Sequence, residues 1–290
     1  MSQPTGAKPR DFETIAIVGV GLIGGSIALA AKARGLTRKV LGVGRKQARL
    51  DEARRLGVID EGVVDLAAAV RRADLVIFCT PVDRIVAGAR EAAAAARPGT
   101  LMTDAGSVKG SICRDLAAGL PPHVEFVGSH PLAGSEMQGF EHADARLFEK
   151  RICVMTPVEK NSAQAVERVR EFWKDLGATV VEMAPEAHDR ALAETSHLPH
   201  LVAAVMAATL SPENEPLAAT GFRDTTRIAA GDADLWAAIF MGNRDPVLDS
   251  LARYEETLAR FRRAIEQNDQ SALKLLLKAA KMRRDQLAPG

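Results

Sequence analysis

Along residues 15–182, short β-branched and apolar runs alternate with stretches whose apolar positions recur at helical spacing. Residues 15–18, 40–43, 75–79, 101–103, 126–127, 152–155 and 179–182 read as strands. Between them, 22–33, 46–56, 82–96 and 163–176 read as helices, with Gly57 and the Pro98-Gly99 pair as stops. Such alternation predicts a mostly parallel sheet covered on both faces. Beyond Pro185, a residue suited to a first helical turn, no further strand is evident. Residues 186–210, 217–229, 234–243, 246–267 and 271–286 all carry helical patterns. The expected organisation is a loose tail over 1–11, an α/β domain over 12–184 and a helical domain over 185–290. The helical domain is short and rich in Ala and Leu, so its apolar faces are expected to pack across a homodimer.

The first strand runs into Gly19-Val20-Gly21-Leu22-Ile23-Gly24, which opens the first helix. In this setting Gly19 permits a tight turn, Gly21 lets backbone approach a pyrophosphate, and Gly24 lets helix and strand pack closely. The helix N-terminus supplies free N–H groups and a favourable dipole for the phosphates. The context, strand then glycines then helix, makes this a dinucleotide site rather than an ordinary glycine-rich turn. NAD sites commonly place an acidic residue at the end of the second strand. Here that end reads Gly42-Val43-Gly44-Arg45-Lys46, without one. The Arg45 guanidinium can pair with a 2′-phosphate, which favours NADP; as the start of a solvated helix, Arg45 and Lys46 would leave NAD as the cofactor.

Composition narrows the classes further. With 38 basic and 37 acidic residues, the chain lacks the basic excess of a nucleic-acid binder. Cys79, Cys113 and Cys153 are scattered, with neither disulfide nor metal spacing, which fits a reducing cytosol. The polar first ten residues have no apolar core of a signal peptide, and no run approaches the ~20 apolar residues of a membrane span. A cytoplasmic protein without membrane attachment is expected.

Three later segments carry candidate chemistry: Asp104-Ala105-Gly106-Ser107-Val108-Lys109, residues 128–136 (GSHPLAGSE), and Ser196-His197-Leu198-Pro199-His200. His130 is expected on a short loop after a strand, at the sheet edge where ligands bind in such folds. An imidazole titrating near about 6.5 can accept a proton near neutrality. Ser107 can equally cap the helix that follows it. His197 and His200 lie three apart, near one helix face, but no third residue with ligand spacing accompanies them, so no metal site is expected. Pro199 is expected to kink that helix. Arg227 offers a planar fork for a carboxylate, or a surface pair with Asp224 or Asp232.

Taken in order, GVGLIGGS, DAGSVK, GSHPLAGSE, SHLPH and GFRDTTRIA resemble the prephenate/arogenate dehydrogenase family from about Thr14 to at least Phe240. The resemblance implies a Rossmann-type N-terminal domain and an all-helical C-terminal dimerisation domain. It implies oxidative decarboxylation of prephenate, with arogenate as a second substrate, in tyrosine biosynthesis. His130 is then the catalytic base and Ser107 its partner at the ring hydroxyl, beside the nicotinamide. His200, Arg227, Ser135, Glu136 and the neighbouring His197 lie on the substrate side, with a Glu136–Arg227 gate. Gly19, Gly21, Leu22, Ile23, Gly24, Arg45, Lys46, Thr80, Pro81 and Ser107 lie on the cofactor side. Asp189 and Trp236 fall at supporting positions, where plain capping or packing would serve as well. Two other readings compete: another NADP-dependent reductase built on the same two-domain plan, and a non-catalytic NADP(H)-binding regulator.

Overall fold

The structure, a computed structural model, describes residues 12–134 and 137–287. Among them, eight strands form one sheet in the order β3-β2-β1-β4-β5-β6-β7-β8. The strands are β1 Thr14–Val18, β2 Lys39–Val43, β3 Glu61–Val63, β4 Leu75–Phe78, β5 Leu101–Asp104, β6 Glu125–Pro131, β7 Ile152–Thr156 and β8 Thr179–Glu182. Every neighbouring pair is parallel except β6 and β7. The chain leaves β1 for β2 and β3 on one side, then crosses to β4 on the other. That reversal opens a crevice at the C-terminal ends of β1 and β4, where α/β sheets bind ligands.

The period of two along each strand splits the core into two layers. Ile15, Ile17, Leu75 and Ile77 face a cluster with Ile27 and Ala31 of α1 (Leu22–Ala33), Leu50 of α2 (Gln47–Arg55) and Phe172 and Trp173. Ala16, Val18, Val76 and Phe78 face the opposite cluster. There they meet Val70 of α3 (Leu66–Val70), Ile85 and Ala89 of α4 (Val82–Ala95), and Ile112 and Leu116 of α5 (Gly110–Gly119). Trp173 belongs to α6 (Ala163–Asp175), whose N-cap Ser162 accepts from Ala165 N–H.

Beyond the sheet the chain is helical: α7 Pro185–Leu192, α8 Leu198–Thr209, α9 Thr220–Thr226, α10 Ala233–Gly242, α11 Arg244–Glu266 and α12 Gln270–Asp285. The single helix expected over 186–210 is instead interrupted by a π-helical turn, Ala193–His197. Pro199 lacks an N–H and cannot continue an α-helix from the preceding turn, so it sits in the first turn of α8. Ile239 of α10 joins the second core cluster, so this helix packs with the sheet unit. By contact density one compact unit ends at Asn243 and a second begins at Arg244. The second is a hairpin of α11 and α12, in which Asp269 caps α12 by accepting from Ala272 N–H at 2.9 Å. Among the described residues no helix is long and apolar enough to cross a membrane.

Candidate active site

The glycine turn fits a dinucleotide. Gly19 has φ +98°, and a Cβ there would lie 2.7 Å from the carbonyl oxygen of Cys79. A Cβ on Gly24 would lie 2.2 Å from the Gly19 carbonyl oxygen, so the turn and α1 pack too closely for any side chain. A Cβ on Gly21, by contrast, would meet nothing within 4 Å. That open cradle lies at the start of α1, whose first N–H groups have no intrahelical acceptor. Gly19 N–H donates to the Val43 carbonyl at 2.9 Å, tying the turn to the end of β2. Just beyond it, Arg45 and Lys46 are exposed. Thr80, after β4, has a buried hydroxyl with no hydrogen-bond partner among the described residues.

Ser107, Thr80 and Gly19 follow β5, β4 and β1, so the topology brings them to one edge of the sheet. Ser107 is not the cap of the following helix. Lys109 occupies the N-cap position of α5, and the Asp189 carboxylate supplies the cap by accepting from the backbone N–H of Lys109 and Gly110, each at 2.8 Å. A Cβ on Gly110 would lie 2.7 Å from Asp189 Oδ2, which leaves room for glycine alone.

His130 lies inside β6 rather than on a loop after it. The ladder to β7 continues past it, pairing His130 with Val154 and Pro131 with Cys153. Because strand side chains alternate, Ser129 turns to one face, where its hydroxyl accepts from Trp173 Nε1 at 2.9 Å. His130 therefore faces the other way, toward α5 and α7. There its Nδ1 lies 2.9 Å from His188 Nε2, and His188 Nδ1 lies 2.8 Å from Asp189 Oδ1. All three side chains are buried. Burial first, and then the neighbouring His188, Lys109 and His197 side chains, hold the His130 imidazole well below the ordinary histidine range. Burial thus favours the neutral ring, the form a base needs. Beneath this group runs a second buried pair, Lys109 Nζ with Asp104 Oδ2.

Two further histidines, His197 and His200, gather on Trp236 of α10. The His200 ring stacks on the indole at 3.5 Å between centroids, and the His197 ring meets it edge-on at 6.2 Å. The π-helical turn and the first turn of α8 thus present both rings to one neighbour. Asn243 Nδ2 donates to the Asp189 carbonyl at 2.7 Å and lies 3.0 Å from His197 Nδ1, which must then accept. Burial lowers the His197 pKa to about 4. Arg227 opens a short 3-10 turn, Arg227–Ala230, after α9. Gly231, which ends that turn, approaches the site so closely that a Cβ there would lie 2.6 Å from Trp236 Nε1. Gln138 Nε2 donates to Asp232 at 3.1 Å. Ser135 and Glu136, and with them the Glu136–Arg227 gate, lie outside the described residues. His188 and Asn243 were not singled out by the sequence; both gain their meaning only from partners far along the chain.

A switch-point sheet with this glycine turn, and a buried imidazole at its C-terminal edge, define a nicotinamide-dinucleotide dehydrogenase with a helical second part. Comparison with known proteins makes the class specific. The nucleotide-binding domain of prephenate dehydrogenase matches residues 27–182, and its dimerization domain matches residues 184–279. The chain is 36% identical over 282 residues to the prephenate dehydrogenase of Bacillus subtilis, covering 95% of this chain and 76% of that one. It is 37% identical over 265 residues to the cyclohexadienyl dehydrogenase of Zymomonas mobilis, covering 89% and 90%. Prephenate dehydrogenase from A. aeolicus, crystallised with hydroxyphenyl propionate and NAD+, superimposes with a TM-score of 0.89 at 32% identity, covering 97% of this chain and all of that one. This chain belongs to the prephenate dehydrogenase family.

Proposed function

We infer that this protein oxidises and decarboxylates prephenate to 4-hydroxyphenylpyruvate, using a nicotinamide dinucleotide, and that it also accepts arogenate. The observation that carries this reading is the buried His130, its Nδ1 2.9 Å from His188 Nε2, at the sheet edge that also bears the glycine turn. Its ring accepts the proton of the substrate hydroxyl. When bound, a nicotinamide would supply the acceptor for the hydride on the carbon that bears this hydroxyl. The ring carboxylate would then leave as CO₂, its bonding electrons would complete the aromatic ring, and the phenolate oxygen would take back the proton held by the histidine. Ser107 orients the hydroxyl. His200, held flat on Trp236, and His197 line the substrate side with Ser135 and Glu136. Arg227 holds a substrate carboxylate. Leu22 and Ile23 offer backbone N–H groups to the pyrophosphate, and Gly21 leaves it room, across the Gly19 and Gly24 turn. Thr80 and Pro81 flank the nicotinamide. Supplying prephenate or arogenate with NADP+ or NAD+ and following the reduced cofactor at its near-ultraviolet band tests the reading. No turnover in any of the four combinations would overturn it.

NADP is the preferred cofactor in this reading, because Arg45 and Lys46 stand where an acidic residue would select NAD. Arg45→Ala should weaken NADP+ by about 10- to 100-fold, the scale of one charged hydrogen bond, and leave NAD+ within about twofold. Titration of each cofactor by fluorescence checks this; equal losses would refute the specificity. Arg227→Ala should raise KM for prephenate by about 10-fold or more, with a smaller change in kcat, if the carboxylate is held equally in ground and transition states. An unchanged KM would remove Arg227 from the site. Homodimerisation falls to the helical domain over 185–290, whose last two helices expose Leu258, Ile265, Leu275, Leu277 and Met282.

A further inference from the structure

We propose that His188 is a positioning residue that, with Asp189, turns His130 into the head of a two-histidine proton relay. The proposal deepens the reading of His130 as the base and rests on it. A carboxylate only accepts, so the 2.8 Å contact to Asp189 places a proton on His188 Nδ1. In the singly protonated ring, His188 Nε2 then accepts, and the 2.9 Å contact places the His130 proton on Nδ1. The lone pair is left on His130 Nε2. The base is therefore set by hydrogen bonds to one tautomer before substrate arrives.

The same geometry answers an electrostatic problem. A proton gained by His130 alone would leave an imidazolium in a buried pocket beside the Lys109 cation, and burial already opposes that charge. Through the relay, the substrate O–H bond breaks as Nε2–H forms on His130. The Nδ1–H bond of His130 breaks as Nε2–H forms on His188. The charge then rests on His188, in direct contact with Asp189, and His130 is neutral again. Asp189 is fixed for this task by the N–H groups of Lys109 and Gly110, at the end of the segment that carries Ser107. One carboxylate thus couples the base to the residue expected to orient the hydroxyl. The groups that bear on the His130 ring are His188 and Asp189 from α7, Lys109 with Asp104 below, and His197 from the π-helical turn.

Two substitutions separate positioning from simple packing. His188→Gln keeps an acceptor for His130 Nδ1–H but cannot take up a proton; His188→Leu removes both. Long-range ¹H–¹⁵N correlation of histidine-labelled protein should show His130 protonated on Nδ1 in wild type and in His188→Gln, and shifted toward Nε2 in His188→Leu. In His188→Gln, kcat should fall about 10- to 100-fold, the lower range of acid–base losses, while the cofactor Kd stays within about twofold. Its acid limb should move to lower pH, because the first proton must then go to the isolated buried ring. Wild-type His130 protonated on Nε2, or an unchanged kcat and acid limb in His188→Gln, would overturn the relay. Failure of the functional reading looks different: wild type itself would turn over no cyclohexadienyl substrate, while the tautomer measurement would still report on the relay geometry.

Discussion

Replacing His130 with Asn should cut kcat by at least about 10²-fold, with cofactor binding near wild type and only a modest change in KM. Asparagine fills much of the imidazole's volume and can donate from its amide to His188 Nε2, so the pocket between β6 and α7 keeps a hydrogen bond there. What it cannot do is accept a proton. The loss should therefore appear in the chemical step. The position of His130 makes the experiment informative. It sits within β6, held on both sides by the ladder, with Ser129 N–H bonded to Asp104 Oδ1 at 3.0 Å and Leu132 N–H to the Ile152 carbonyl at 2.7 Å. A backbone so fixed gives the substitution little scope to act through misfolding. Turnover near the wild-type rate would remove His130 from the chemistry, whatever the fold.

The parts of this site legible in the sequence are those made by neighbours in the chain. The turn from Gly19 to Gly24 is local: a β-branched run, glycines at fixed offsets and an Ala/Leu helix announce one another, and the positive φ and close contacts of Gly19 follow. The two-layer core follows in the same way from the alternation in β1 and β4. What the sequence hid depends on contacts between distant positions. His188 and His130 are 58 residues apart, and no spacing rule links them. The pair His188-Asp189 reads as part of the polar start of a helix, and its burial becomes visible only when α7 packs against α5 and β6. His130 was expected on a loop because Ser129-His130-Pro131 lacks β-branched residues and Pro131 cannot donate to a ladder. The strand extends anyway, since β7 runs antiparallel and pairs with this end. The strand β3 escaped notice because Glu61-Gly62-Val63 is too short and too polar to show a period. Likewise α5 begins with Gly110-Ser111, poor helix formers, and is capped by a carboxylate 79 residues away.

Removing the cation beneath the site should have the largest effect on stability. Lys109 and Asp104 are both fully buried, and their side chains are in direct contact. Asp104 also accepts from Gly106 N–H at 2.9 Å and from Ser129 N–H at 3.0 Å. These bonds join the segment carrying Ser107 to the strand carrying His130. Lys109→Met keeps the length of the stem and deletes the ammonium. The Asp104 carboxylate would then be buried with two amide donors and no counter-charge. Breaking a buried pair in this one-sided way costs about 3–5 kcal/mol. For a chain of this size that corresponds to a fall in Tm of roughly 5–15 °C. The double variant Asp104→Asn/Lys109→Met removes both charges and leaves an amide whose one oxygen can still accept from one of the two N–H groups, so it should recover part of the loss. The comparison isolates charge burial from lost packing, because the same ammonium is missing in both variants. Thermal and denaturant unfolding of the three proteins would read the difference. A single variant within about 1 kcal/mol of wild type would mean that water or a rearranged partner neutralises Asp104, and the pair would then have no part in fixing the base.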